Sequence, residues 1–221
     1  MGEVTQEGLV AAALATGVRD TRVLEALRAV PRSAFVPEHL VERAGVDEPL
    51  PIPHGQVTTQ PSLVAKMVEA LALEGSDRVL EIGTGYGFQT AVLARLAARV
   101  FSVERRADLA DAARASLERQ GVRNVEIIVG DGSTGLPEHA PFHAILVSAA
   151  FPRVPPPLVE QLAEGGRLVQ PIGRGGSEEV TLFQREGGQL VALRNVTGAR
   201  FVPLVGRYGF SAEQRHQSRS C

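Results

Sequence analysis

The run Glu81-Ile82-Gly83-Thr84-Gly85-Tyr86-Gly87 ends a short apolar segment and precedes a stretch with helical spacing. Glycines at such a junction let the backbone turn sharply and approach a ligand closely. Glu104 follows Gly83 by 21 residues and closes the next apolar segment, where a carboxylate can accept hydrogen bonds from both hydroxyls of a ribose. Gly130-Asp131-Gly132 closes the third such segment, which puts Asp131 in a position to accept from an adenine amino group. Three features at three successive strand ends point to a nucleoside. The turn departs from the dinucleotide pattern, which places a third glycine three positions after the second so that a helix N-terminus meets a pyrophosphate. Here Gly85 is followed by Tyr86, Gly87 and Phe88. Glu81, two residues before the first glycine, would repel a pyrophosphate but suits a cationic ligand such as the sulfonium and amino groups of S-adenosylmethionine. A nicotinamide-dependent oxidoreductase stays open as an alternative of another class.

The elements that must hold these residues follow from periodicity. Residues 78–82, 100–103, 125–129, 144–147 and 167–172 read as strands, with helical spacing over 89–98, 107–120 and 158–163. The alternation predicts an α/β fold with a doubly wound, Rossmann-like, mostly parallel sheet. Residues 180–184 and 190–196, split by Glu186-Gly187-Gly188, predict a hairpin that adds C-terminal antiparallel strands. Ahead of the sheet, residues 5–30 predict two short helices, and Ser62 to Ala72 a third with Pro61 at its start. The proline-rich stretch Pro31 to Pro61 reads as irregular chain, and one that long predicts a lid. The expected organisation is an N-terminal helical and proline-rich cover over 1–74, a cofactor domain over 75–210 and a polar, frayed tail over 211–221.

Composition narrows the function further. Of 221 residues, 44% are hydrophobic and 22% charged, as in ordinary globular chains and unlike disordered ones. A net charge of −2 without a dense basic block predicts no nucleic-acid partner. No apolar run reaches the roughly 18 residues a membrane span needs, and Met1-Gly2-Glu3-Val4 lacks the basic start of an export signal. Cys221 is the single cysteine, which excludes an intrachain disulfide and a cysteine-ligated zinc site. A cytoplasmic monomer without a bound metal is expected. His54 and His143 read as loop or surface histidines rather than bases.

Further stretches carry a family resemblance. Residues 31–37 (Pro-Arg-Ser-Ala-Phe-Val-Pro), 49–61 (Pro-Leu-Pro-Ile-Pro-His-Gly-Gln-Val-Thr-Thr-Gln-Pro) and 201–205 (Phe-Val-Pro-Leu-Val) resemble segments of the protein-L-isoaspartate O-methyltransferases, over about residues 20–206 in all. Val79 to Gly85 looks like the turn of any class I S-adenosylmethionine-dependent methyltransferase. The resemblance implies methyl transfer from S-adenosylmethionine to the free carboxylate of L-isoaspartyl residues in damaged proteins or peptides. It implies cofactor contacts from Gln56, Val57, Ser62, Glu81, Gly83, Thr84, Gly85, Gly87, Glu104, Asp131 and Gly132. It implies an active site of Thr58, Thr59 and Val205, with Thr59 at the position of the family's serine. Gly45 stands where the family has tyrosine, His143 where it has aspartate, and Phe88 is the second aromatic of the glycine turn. These departures bear on the substrate, and a relative that tailors a dedicated peptide or small metabolite stays open.

Such a reaction needs no general base, because a carboxylate with a pKa near 4 is already ionised at neutral pH. The work left is to orient one oxygen, strip water from it and leave most of its charge in place. The ester would then cyclise by itself to a succinimide, whose hydrolysis returns some normal aspartate.

Overall fold

The structure, a computed structural model, describes residues 6–174 and 176–211. Helices α1 (Gln6–Ala15) and α2 (Thr21–Ala29) are separated at Gly17, and the Asp20 carboxylate caps α2 by accepting from the Arg22 N–H. Two 3-10 helices (Arg32–Phe35 and Glu38–Arg43) lead to strands β1 (Leu50–Ile52) and β2 (Gln56–Thr58), and α3 (Pro61–Leu71) begins with proline at its first position. The chain continues through β3 (Arg78–Ile82), α4 (Phe88–Ala94), β4 (Arg99–Glu104), α5 (Ala107–Arg119), β5 (Val125–Val129), β6 (Phe142–Val147), α6 (Pro156–Gln161), β7 (Leu162–Ile172), β8 (Glu178–Glu186) and β9 (Gln189–Ala199).

Among the described residues, β3 to β9 form a seven-stranded sheet of order β5-β4-β3-β6-β7-β8-β9, parallel up to β7 and antiparallel for β8 and β9. This is the mixed sheet expected from the sequence. The hairpin turn carries Gly187 at φ 59° and Gly188 at φ 79°, the two left-handed positions that match the twist of the flanking strands. Pleating sends Val79, Val100 and Val169 to a face packed by α1 to α4, and Leu80, Ile82, Ile145 and Leu168 to the face that holds Leu158 of α6.

Three boundaries differ from the periodicity. The fourth helix stops at Ala94, because Ala98 and Arg99 donate to the Asp77 carbonyl and the chain has to turn there into β4. The helix forecast to Ala163 ends at Gln161, and Leu162 already pairs with Phe142 as the start of β7. The proline-rich stretch is not irregular throughout. Pro31 and Pro37 precede 3-10 helices, and the antiparallel pair β1–β2 runs through Pro51, tolerable in a two-stranded ribbon that has free edges. The tail expected over 211–221 lies, apart from Ser211, outside the described residues.

Two buried polar networks hold the glycine turn and the β1–β2 ribbon in place. Glu81 shares the face of Val79 and points at α4; it is 0% exposed and accepts from Gln89 Nε2 (2.8 Å), Thr90 Oγ1 (2.5 Å) and Ser102 Oγ (2.6 Å). Parallel register sets Ser102 directly beside it. Burial pushes the Glu81 carboxyl up to about 7 against these three donors. Arg32, 1% exposed, donates to the carbonyls of Val46 (2.7 Å), Glu48 (2.8 Å) and Ala44 (3.3 Å) and to Thr58 Oγ1 (2.9 Å). Burial lowers its guanidinium to about 10, so it remains charged at neutral pH. This single side chain ties the loop over 44–48 to β2.

Because folded Glu81 holds a proton that the unfolded chain releases near pH 4.5, its contribution is complete below that pH and is lost as pH rises to about 7. The unfolding free energy from urea titrations across that interval should therefore fall with pH by an amount on the order of 2–3 kcal/mol, and Glu81→Gln should flatten the slope. Arg32→Met should leave the loop carbonyls unpaired, cost about 3 kcal/mol and lower the thermal midpoint by about 6–12 °C in calorimetry.

Candidate active site

The chain leaves β3 toward β4 and β5 on one side and returns through β6 on the other, which opens a crevice at the carboxyl ends of β3 and β6. A cleft lies there, lined by the turn after β3, the end of β4, β2 and the segment over 202–205. Its floor is the turn after β3, where Gly83 (φ 99°), Gly85 (φ 56°) and Gly87 (φ 92°) adopt conformations that side chains disfavour. At Gly87 a Cβ would also crowd Ala113 of α5 at 3.2 Å. Glu104 lines the cleft at the end of β4, accepting from the Gly85 N–H (2.9 Å) and the Arg106 N–H (3.0 Å). A carboxylate has about four lone-pair sites, so two remain for hydroxyls. Gly132 closes the far side against Ile82, with no room for a Cβ.

Several residues singled out from the sequence sit elsewhere than expected. Glu81 does not line the cleft: its carboxyl group lies behind the glycine turn in the buried network, where it braces α4 and the turn. Thr84 lines the cleft with its backbone turn, but its hydroxyl is 2.5 Å from Ser102 Oγ in the same network. Asp131 does not line the cleft either. One of its oxygens accepts from Ser133 N and Oγ (2.9 and 2.7 Å), the other from Arg207 N (2.7 Å), so it fastens the C-terminal segment. Thr58 lines the cleft, yet its Oγ1 accepts from Arg32 and from Leu50 N (3.2 Å). Ser62 lies outside this cleft, its N–H bound to Asp47 Oδ1 at 2.8 Å. Gln56, Val57, Thr59, Gly83, Gly85, Gly87, Glu104, Gly132 and Val205 do line it.

Two residues that the sequence did not single out complete the set. Gln89, in the first turn of α4, donates to Glu81 and to Ser148 Oγ (2.8 Å each), which leaves its buried Oε1 without a partner among the described residues and beside the cleft. Ser148 follows β6 at the crevice. The visible signal was a polar pair, Gln89-Thr90, opening an otherwise apolar helix, but only the sheet order reveals Ser148 as its neighbour.

A second cleft opens beside the first, between α3 and the chain from Thr197 to Val202. Val57, Thr59, Ser148 and Val202 line both clefts, so they form the wall where the two meet. Thr59 is half-buried there, and its hydroxyl makes no hydrogen bond among the described residues. The segment over 202–204 is held by pairing with Ala150, through Ala150 N to Val202 O and Leu204 N to Ala150 O (both 2.8 Å), which uses one of its edges. The cover is fastened on the opposite side by His54 Nε2, 2.7 Å from Asp108 Oδ2 at the start of α5. That contact holds the Asp108 carboxyl below its ordinary range. Among the described residues, no group of three or more His, Cys, Asp or Glu is placed to hold a metal ion, and no helix is long and apolar enough to cross a membrane.

Known proteins share this fold. The family model of the protein-L-isoaspartate (D-aspartate) O-methyltransferases matches residues 4–209. The Methanoculleus marisnigri protein-L-isoaspartate O-methyltransferase is 51% identical over 200 residues, 90% of each chain. The enzyme of that name from Myxococcus xanthus is 50% identical over 194 residues, 86% of this chain and 92% of the relative. A solved protein-L-isoaspartate O-methyltransferase superposes with a TM-score of 0.81 at 31% identity, over 93% of this chain and 67% of the other. A Plasmodium falciparum chain, described provisionally as such a methyltransferase and solved with S-adenosyl-L-homocysteine, shares the fold with a TM-score of 0.74 at 22% identity, over 89% of this chain and 98% of its own. The match spans every element from α1 to β9, and the chain belongs to the protein-L-isoaspartate (D-aspartate) O-methyltransferase family.

Proposed function

We propose that this chain transfers a methyl group from S-adenosylmethionine to the free carboxylate of L-isoaspartyl residues in proteins and peptides. The observation that carries the reading is the shared wall: a free threonine hydroxyl stands where the cleft at the glycine turn and a second cleft meet. Two reactants held in the two clefts would face each other across Thr59 and Val57.

The donor set fits the cofactor. Glu104 has acceptor capacity left for ribose hydroxyls, and the unpartnered buried Gln89 Oε1 suits the N–H groups of an α-ammonium. The glycine turn, Gln56, Val57 and Gly132 would pack around the rest, with Glu81, Thr84 and Asp131 bracing them from behind. Bound there, the cofactor supplies an electrophilic methyl group. This chain's own residues then have three tasks. Thr59 orients the substrate carboxylate through one hydrogen bond, too little to quench its charge. The β1–β2 cover, latched by Arg32 and by His54 with Asp108, keeps water out. Val205 and the pinned 202–204 segment hold the peptide side. The product ester closes to a succinimide when the next backbone nitrogen attacks it, and that step asks nothing of the enzyme.

On this reading residues 1–74 serve as cover and 75–210 as the cofactor part. The near-neutral charge fits peptide rather than nucleic-acid partners, and the lone cysteine fits a reducing, cytoplasmic setting.

Labelled methyl transfer should appear, base-labile, on an isoaspartyl peptide and be absent on its aspartyl twin; label on neither would remove the reading. Thr59→Ala should lower kcat/KM about tenfold and Thr59→Ser should stay within about threefold. In calorimetry, Glu104→Gln should weaken S-adenosylhomocysteine about tenfold or more, while NAD binds to neither form.

A further inference from the structure

The second cleft has a charge that the chain as a whole does not. Lys66, the only lysine in the sequence, lies half-buried on α3, one turn beyond Ser62 and on the same face. Arg200 lies exposed on the opposite wall, between β9 and Phe201. No aspartate or glutamate lines this cleft, and neither cation has a hydrogen-bond or ion-pair partner among the described residues. Carboxylates of the surrounding segments lie outside the lining and bond to neutral N–H groups. Asp47 accepts from Gln60 Nε2 and Ser62 N, Glu69 from the backbone of Arg19 and Asp20, Glu178 from Phe201 N and Glu179 from Asn195. A chain of net charge −2 therefore lines one cleft beside Thr59 with two cationic side chains and no carboxylate.

We propose that Lys66 and Arg200 make this cleft selective for isoaspartyl sites with an acidic residue next to them in the substrate. The inference rests on the methyl transfer proposed above and adds a rule for its substrate. The cations are assigned to a neighbouring carboxylate and not to the reacting one. A full ion pair on the reacting oxygen would draw off the charge that attacks the methyl group, whereas a pair one residue away contributes binding alone. Selectivity should then reside in KM and should weaken with salt, as an interaction in a partly open cleft does.

The test uses three isoaspartyl peptides identical except for one neighbour, Glu, Gln or Lys, with kcat and KM measured at low salt and at about 0.5 M salt. The Glu peptide should exceed the Lys peptide about three- to tenfold in kcat/KM, through KM, and the ratio should contract at high salt. Lys66→Met and Arg200→Met should each shrink the ratio, Lys66→Arg should restore it and Lys66→Glu should invert it. A ratio near one in the native enzyme, a ratio untouched by these variants, or an equal loss on all three peptides would overturn the proposal. The last result would assign Lys66 to the reacting carboxylate or to stability. If none of the isoaspartyl peptides is methylated while S-adenosylhomocysteine still binds, the methyl-transfer reading itself fails and takes the substrate rule with it.

Discussion

A carboxyl group without access to water sits where β3 ends. Glu81 touches the next strand through Ser102 and the following helix through Gln89 and Thr90, so one buried group joins the three elements that frame the cofactor cleft. Taking a carboxyl out of water is costly, and its position is tolerable only while all three donors stay in place. That makes the arrangement all-or-none: α4 cannot slide or rotate without stranding Glu81. Since α4 begins at the end of the glycine turn, the turn inherits this rigidity, and Glu104 fixes it from the other side by accepting from Gly85. The same network aims Gln89 at the cleft, where its second polar atom is left for a ligand.

The cover depends on a comparable device of opposite sign. Arg32 is one buried guanidinium reaching three carbonyls and a hydroxyl of the segment over 44–58, beside a small apolar cluster of Val36, Leu40, Ala44 and Leu50. A ribbon of two three-residue strands would not persist alone in water. Anchored by Arg32 from within and by His54 with Asp108 at its tip, it lines one wall of the cleft. Thr58 has its hydroxyl committed to this anchor through Arg32 and Leu50 N, while that of Thr59 makes no hydrogen bond among the described residues.

The parallel strands and their helices were legible because buried parallel strands are continuous apolar runs and the helices between them keep a 3.6-residue period. The ends of α4 and α6 were not, because what stops them is pairing with distant partners: Asp77 for the turn into β4 and Phe142 for the first residue of β7. The β1–β2 ribbon was hidden for a similar reason. Its prolines read locally as breakers, and only the Arg32 anchor makes a strand pair of them.

The glycine turn, Glu104 and Gly132 could be placed at the cleft from sequence because their roles come from backbone position at strand ends, which chain order dictates. The family could be read for the same reason, since its motifs are contiguous. Which carboxylates actually face the cleft was decided only by tertiary structure. Glu81 and Asp131 lie at the expected strand ends, yet sheet register and the returning C-terminal segment supply donors that turn them inward. The meeting of the two clefts at Thr59, and the grouping of Lys66 with Arg200, join residues from 57 to 202 along the chain. Side-chain direction and long-range proximity of that kind arise from packing across the sheet, and no local pattern encodes them.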